Sequence, residues 1–174
     1  MSRPRGGRSQ SDVAVDIVVE SALWKDQRGA KALLRRAVAE AAATLSTSDA
    51  ELAILLTDDS VIRRLNRHWR GKDEPTNVLA FPTMQPPRSG GALGMAHRHL
   101  GDIVIARETL VREAAAEDKR FSQHLAHLAV HGFLHLCGHD HETAKDAAAM
   151  EALEIAILAR LGIPNPYVAH GRDD

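Results

Sequence analysis

The stretch His131-Gly132-Phe133-Leu134-His135-Leu136-Cys137-Gly138-His139-Asp140-His141 decides how the rest of the chain is read. His131 and His135 are four residues apart, so on an α-helix their imidazoles project roughly 40° apart around the axis and can reach one ion. Gly138 is the residue type that ends a helix at least cost, because it accepts the left-handed backbone that other side chains resist. A chain reversing there brings His141 to the same point. Three neutral nitrogen donors with a fourth position open describe a catalytic zinc rather than a structural one, which predicts a single Zn2+ per chain on His131, His135 and His141.

The neighbours of the histidines support a buried helix beginning near Ser122. With His131 at the origin of a helical wheel, Leu125, Ala129, Phe133 and Leu136 cover the far arc, and Leu128, Val130 and Leu134 fill most of what remains. A helix apolar nearly all round is an interior one, and its rigidity suits a metal site. The competing reading is that the chain has 10 histidines and a pair at this spacing arises by chance; Gly138 and His141 weigh against it. His124 and His127 project within roughly 40° of His131 and are read as surface or cleft-lining residues. A site from His127, His131 and His135 is disfavoured, because ligands spread over two turns diverge too far to share a tetrahedral ion at about 2.1 Å. Cys137 points away from the stripe and reads as a small core residue.

At 174 residues and 44% apolar content the chain supports one domain with a real core. The net charge of −1 gives no global field to recruit nucleic acid, so any such contact needs a local patch. The single cysteine excludes an intramolecular disulfide and suits a reducing cytosol. No apolar run approaches the ~18 residues of a membrane span, and no apolar leader opens the chain. A soluble, cytoplasmic protein is expected.

Residues 1–11, with Arg3, Arg5 and Arg8 among Gly, Ser and Pro, read as a disordered tail, and residues 169–174 as a second. Between them, residues 12–168 read as a single catalytic domain. Val13, Val15, Ile17 and Val19 alternate as a strand does; residues 30–43 have helical composition; residues 51–57 form a second, buried strand. Asp58, Asp59 and Ser60 supply N-cap chemistry for a helix carrying Val61, Ile62, Leu65 and Trp69. A polar turn at 70–76 leads to a short strand at 77–82, and residues 83–99, without apolar period, read as a mobile loop. A strand at 100–106, a helix at 107–117, the histidine helix and a closing helix at 142–161 complete an α+β fold: a sheet of about four strands packed with helices, the metal-binding helix at its centre.

Arg63, Arg64, Arg67, His68, Arg70 and Lys72 concentrate positive charge in an otherwise neutral chain. For the first three a solvated helix face is an equal reading. Arg70 and Lys72 occupy a turn between rigid elements, where substrate contacts tend to lie, and a guanidinium there can grip a phosphate through two parallel hydrogen bonds. The run Leu65-Asn66-Arg67-His68-Trp69-Arg70-Gly71-Lys72-Asp73-Glu74-Pro75-Thr76-Asn77-Val78-Leu79-Ala80-Phe81-Pro82, then Leu100-Gly101-Asp102-Ile103-Val104-Ile105, then His131 to His141, resembles the YbeY family of bacterial endoribonucleases.

The resemblance implies a zinc-dependent, single-strand-selective ribonuclease of ribosomal RNA maturation, including the 3′ end of 16S rRNA, and of ribosome quality control. It implies partners in the small ribosomal subunit, rRNA and protein; no DNA and no membrane partner is expected. The family's metal histidines fall on His131, His135 and His141, and its functionally important arginine on Arg70; His139 stands where many members have Tyr. Lys72 is the accompanying substrate-binding candidate. The spacing also matches that of metzincin proteases, which place a general-base Glu after the first histidine where this chain has Gly132. That difference favours the nuclease over the protease. A third reading is a non-catalytic ribosome assembly factor with zinc as a structural clip. Asp140 and Glu142 are candidates to orient a ligand imidazole or to accept a proton.

Overall fold

A computed structural model describes residues 13–84 and 98–168; the two expected tails and most of the expected loop at 83–99 lie outside the described residues. In chain order the elements are β1 (Val13–Val19), a 3-10 turn (Ala22–Trp24), α1 (Ala30–Thr44), β2 (Ala50–Thr57), α2 (Asp59–Arg70) and β3 (Val78–Pro82). They continue with β4 (Arg98–Ala106), α3 (Arg107–Ala116), α4 (Phe121–Leu136) and α5 (Ala144–Arg160). The result is the expected α+β domain.

The strands form a mixed sheet in the order β1-β2-β4-β3, with β1, β2 and β4 parallel and β3 antiparallel on the edge. Because successive side chains of a strand point to opposite faces, the inner strands feed two cores. Ile103 and Ile105 join Leu52, Ile54 and Leu56 in the main core, whereas Val104 packs with Ile62, Leu79 and Ala106 on the other face. Helix α4 lies in the main layer against α1, α3, α5, β3 and β4. Leu125, Ala129, Val130, Phe133 and Leu134 are buried there, which is why the wheel is apolar nearly all round.

Local chemistry fixes the element that carries the basic turn. Asp58 caps α2, its Oδ1 accepting from the Val61 amide at 3.1 Å. The neighbouring Asp59 ties α2 to α3 instead, because its carboxylate accepts from the Thr109 amide, the Thr109 hydroxyl (2.7 Å) and Arg112 (2.8 Å). The 3-10 turn has no clear signature in the sequence; it carries Trp24, whose indole donates to the Thr57 carbonyl at 2.8 Å.

The strand expected from residue 100 begins at Arg98, so Arg98 and His99 are strand rather than loop. The Arg98 amide donates to the Asp49 carbonyl at 2.9 Å, and residues 98 and 99 pair with β2 before the register slips between Glu51 and Leu52. Past that slip Gly101 adopts φ +136°, and a Cβ there would stand 2.1 Å from the Phe81 carbonyl oxygen of β3. No side chain can be accommodated without moving the edge strand. Gly101→Ala is expected to cost on the order of 3 kcal/mol, combining backbone strain and overpacking. Urea unfolding checks this: a midpoint within error of the unmutated chain would contradict it.

Candidate metal centre and its cleft

Helix α4 ends through a glycine turn that delivers the third histidine. Gly138 has φ +93°, its amide donates to the His135 carbonyl at 3.0 Å, and the His139 amide donates to the Leu134 carbonyl at 3.0 Å. This paired pattern is a Schellman ending. It reverses the chain so that one ligand atom each from His131, His135 and His141 lies within 4.8 Å of the others. His131 Nε2 and His135 Nε2 approach to 3.1 Å. Two ligands of a tetrahedral ion at about 2.0–2.1 Å would stand about 3.3 Å apart, so the donor set fits such an ion.

Protonation also favours ligation. Burial, and then the neighbouring His131 and His141 imidazoles, lower the pKa of His135 to about 4, keeping it a neutral donor near pH 7. His131 Nδ1 donates to Glu154 Oε1 at 2.7 Å, which leaves Nε2 as the free nitrogen facing the other imidazoles. Glu154, on α5, is 1% exposed; its other oxygen accepts from His127 Nε2 at 2.7 Å and from the Tyr167 hydroxyl. Burial pushes this carboxyl up, but hydrogen bonds from His127, His131 and Tyr167 outweigh it and hold the pKa down to about 2. A buried anion therefore braces one ligand imidazole from behind.

Sequence reasoning missed Glu154, since it points to Asp140 and Glu142 as the candidates for orienting a ligand. Among the described residues the carboxylate hydrogen-bonded to a ligand imidazole is Glu154. A signal existed: Glu154 falls in register with Met150, Ile157 and Leu158 on the buried stripe of α5, and a carboxylate there needs a partner. Glu154→Gln is expected to weaken divalent-metal affinity about tenfold or more, the range typical of losing such an outer partner. Competition against a chromophoric chelator measures it; unchanged affinity would show that the carboxylate only fills space.

The histidines open onto a cleft of about 320 Å³ lined by Arg70, Val78, Ala80, Gly132, Asp140 and Glu142 together with the three of them. Arg70 is the last residue of α2, and the turn beyond it is tightly held. Gly71 takes a left-handed φ of 69°, the buried Asn66 donates its side-chain amide to the Glu74 carbonyl at 2.9 Å, and Arg63 grips Asp73 through two bonds at 3.0 and 3.1 Å. Arg63 is thus tied to the turn while remaining on the solvated face of α2. Lys72, expected beside Arg70, is exposed and does not line the cleft.

Gly132 has a steric reason. It is buried where α4 crosses β4, and a Cβ would meet Ile103 at 3.0 to 3.2 Å. A glutamate in that position, as the metzincin pattern requires, would force the Ile103 side chain to give way to its Cβ. Of the two readings of His124, cleft-lining holds and surface does not: it is 5% exposed and donates to Glu113 at 2.7 Å. With His127 it lines a neighbouring cavity of about 420 Å³, and His127 faces Glu154 instead of the three-histidine group. Cys137 packs, partly buried, against the main core, and burial raises its thiol pKa.

Among the described residues, no helix is long and apolar enough to cross a membrane. The family model described as "Endoribonuclease YbeY" matches residues 19–162. Curated relatives of that name include one from Nitrobacter hamburgensis, 54% identical over 91% of this chain and 84% of its own length. Others come from Nitrobacter winogradskyi, 57% identical over 87% and 80% of the two chains, and Rhodopseudomonas palustris strain HaA2, 52% identical over 96% and 88%. Among solved structures, the solution structure of TM1509 from Thermotoga maritima matches with a TM-score of 0.50 and 22% identity, covering 91% of this chain and 99% of that one. That likeness concerns the fold alone. With a three-histidine group and an arginine sharing one cleft, and with the family pattern running through nearly every element, the chain belongs to the endoribonuclease YbeY family.

Proposed function

We propose that this chain is a zinc-dependent endoribonuclease that hydrolyses phosphodiesters of single-stranded RNA, acting in ribosomal RNA maturation at the 3′ end of 16S rRNA and in ribosome quality control. Family membership makes it a nuclease, a hydrolase acting on RNA. The observation that carries the site assignment is that Arg70, from the far side of the edge strand, lines the same cleft as His131, His135 and His141.

His131, His135 and His141 would hold the metal. When bound, a divalent ion such as zinc supplies Lewis acidity and brings the pKa of water down towards about 7. Arg70 binds the scissile phosphate through its guanidinium and holds the negative charge that develops on its oxygens. Glu154 keeps His131 in one tautomer. Asp140 and Glu142, both in the cleft wall, are the carboxylates available to accept a proton; Gly132 offers none. Lys72, outside the cleft wall, would meet the RNA backbone beyond the scissile group. Small-subunit ribosomal RNA and proteins are the expected partners, in the cytoplasm.

The test is cleavage of a single-stranded RNA by purified protein, with and without chelator, followed by end-group analysis. Chelator-sensitive cleavage leaving a 5′-phosphate and no cyclic product is expected. A cyclic 2′,3′-phosphate would instead assign the attack to the 2′-hydroxyl. Chelator-sensitive cutting of unfolded peptides, with RNA untouched, would overturn the nuclease reading. Full biological activity of folded Arg70→Ala and His131→Ala variants would point to a non-catalytic assembly factor.

A further inference from the structure

We propose that Trp69, backed by Phe81, is a stacking platform for a base of the RNA strand whose phosphate Arg70 engages; the inference rests on the ribonuclease reading above. Trp69 stands in the last turn of α2 with 64% of its surface exposed, although it is the largest apolar side chain type. It is held rather than loose: its ring centroid lies 6.1 Å from Phe81, tilted at 59°, and the His68 ring meets it edge-on at 4.9 Å. Trp69 and Phe81 border an open groove of about 680 Å³ whose walls also include Leu65, Ala80 and Val104.

Two observations identify the occupant. The groove and the metal cleft share a wall residue, Ala80 of the edge strand, so a chain lying in one reaches the other by passing round β3. Trp69 and Arg70 are consecutive, and a step of about 100° around the helix separates the groove side from the cleft side. Charge is the second. Among the described residues Arg70, next to Trp69, and Lys72 in the following turn have no carboxylate within ion-pair distance, while Arg63 is taken up by Asp73. The groove's own acid, Asp102, has His99 3.8 Å away. An unpaired Arg70 next to an exposed aromatic suits a polyanion with flat π-faces, the combination by which single-stranded nucleic acid is held.

The test is equilibrium binding of a roughly ten-nucleotide oligouridylate, and of an abasic ribose-phosphate oligomer of equal length, with oligomer integrity checked after each titration. The full chain is compared with Trp69→Ala, Trp69→Phe and Trp69→Leu. Leucine keeps apolar packing on Phe81 while removing the π-face, so the comparison survives if alanine perturbs folding. The alanine and leucine variants are expected to bind oligouridylate about tenfold more weakly, the phenylalanine variant to retain most affinity, and all to bind the abasic oligomer alike. Unchanged oligouridylate affinity in the leucine variant, or equal losses for both oligomers, would overturn the platform and leave the groove to a protein segment. That outcome with RNA cleavage intact sinks this inference alone. If the unmutated chain binds neither oligomer, the ribonuclease reading fails with it.

Discussion

Replacing His135 by alanine is expected to reduce cleavage of single-stranded RNA by more than about 100-fold, beyond the 10–100-fold typical of losing only a partner of a ligand. The reason is geometric. His135 Nε2 stands 3.1 Å from His131 Nε2, and burial with two adjacent imidazoles keeps it a neutral donor. Two histidines cannot hold a catalytic divalent ion as three do. The fold should survive, because His135 is only half-buried and alanine is the best helix former. An unchanged thermal melt alongside lost activity and lost metal is the expected pattern. Retained cleavage in this variant would remove the three-histidine centre from the account.

The second large effect is expected from Arg70→Ala: a fall in kcat of about 10²–10³-fold with metal content unchanged. Arg70 lines the cleft and, among the described residues, has no acidic partner of its own, so its charge is available to a phosphate. The turn that carries it keeps its shape in the variant, since Asn66, Gly71 and the Arg63–Asp73 pair hold it. Arg70→Lys should recover only part of the rate, because an ammonium is a point charge without the two-pronged fork. Steady-state kinetics on a defined RNA oligomer, with parallel metal analysis, checks both. Loss of metal in Arg70→Ala would mean that the residue supports the fold of the centre and not the reaction.

Much of this is legible in the sequence because the informative residues obey local rules. The four-residue spacing of His131 and His135, and the glycine that must follow to bring back His141, are statements about one helix and its ending. β1 and α2 are legible for the same reason, through alternation and an aspartate cap. What escapes depends on contacts between segments distant in the chain. Glu154 is 23 positions from His131, and nothing local says that α5 lies behind α4. Arg98 and His99 become strand only through pairing with β2, since neither is apolar. His124 reads only as a surface or cleft-lining residue, because a polar side chain on a wheel gives no hint that Glu113 of α3 waits opposite it. Gly101 and Gly132 stand in the sequence as motif letters, but their reasons, the Phe81 carbonyl and Ile103, are contacts of the assembled sheet.

Elemental analysis of the purified, unmutated chain tests the central claim most directly. Imidazoles from α4 and from the turn after it, converging within 4.8 Å, should retain about one divalent ion per chain through purification, zinc being the expected element. A content below about 0.2 per chain, not restored by adding zinc, would contradict the account.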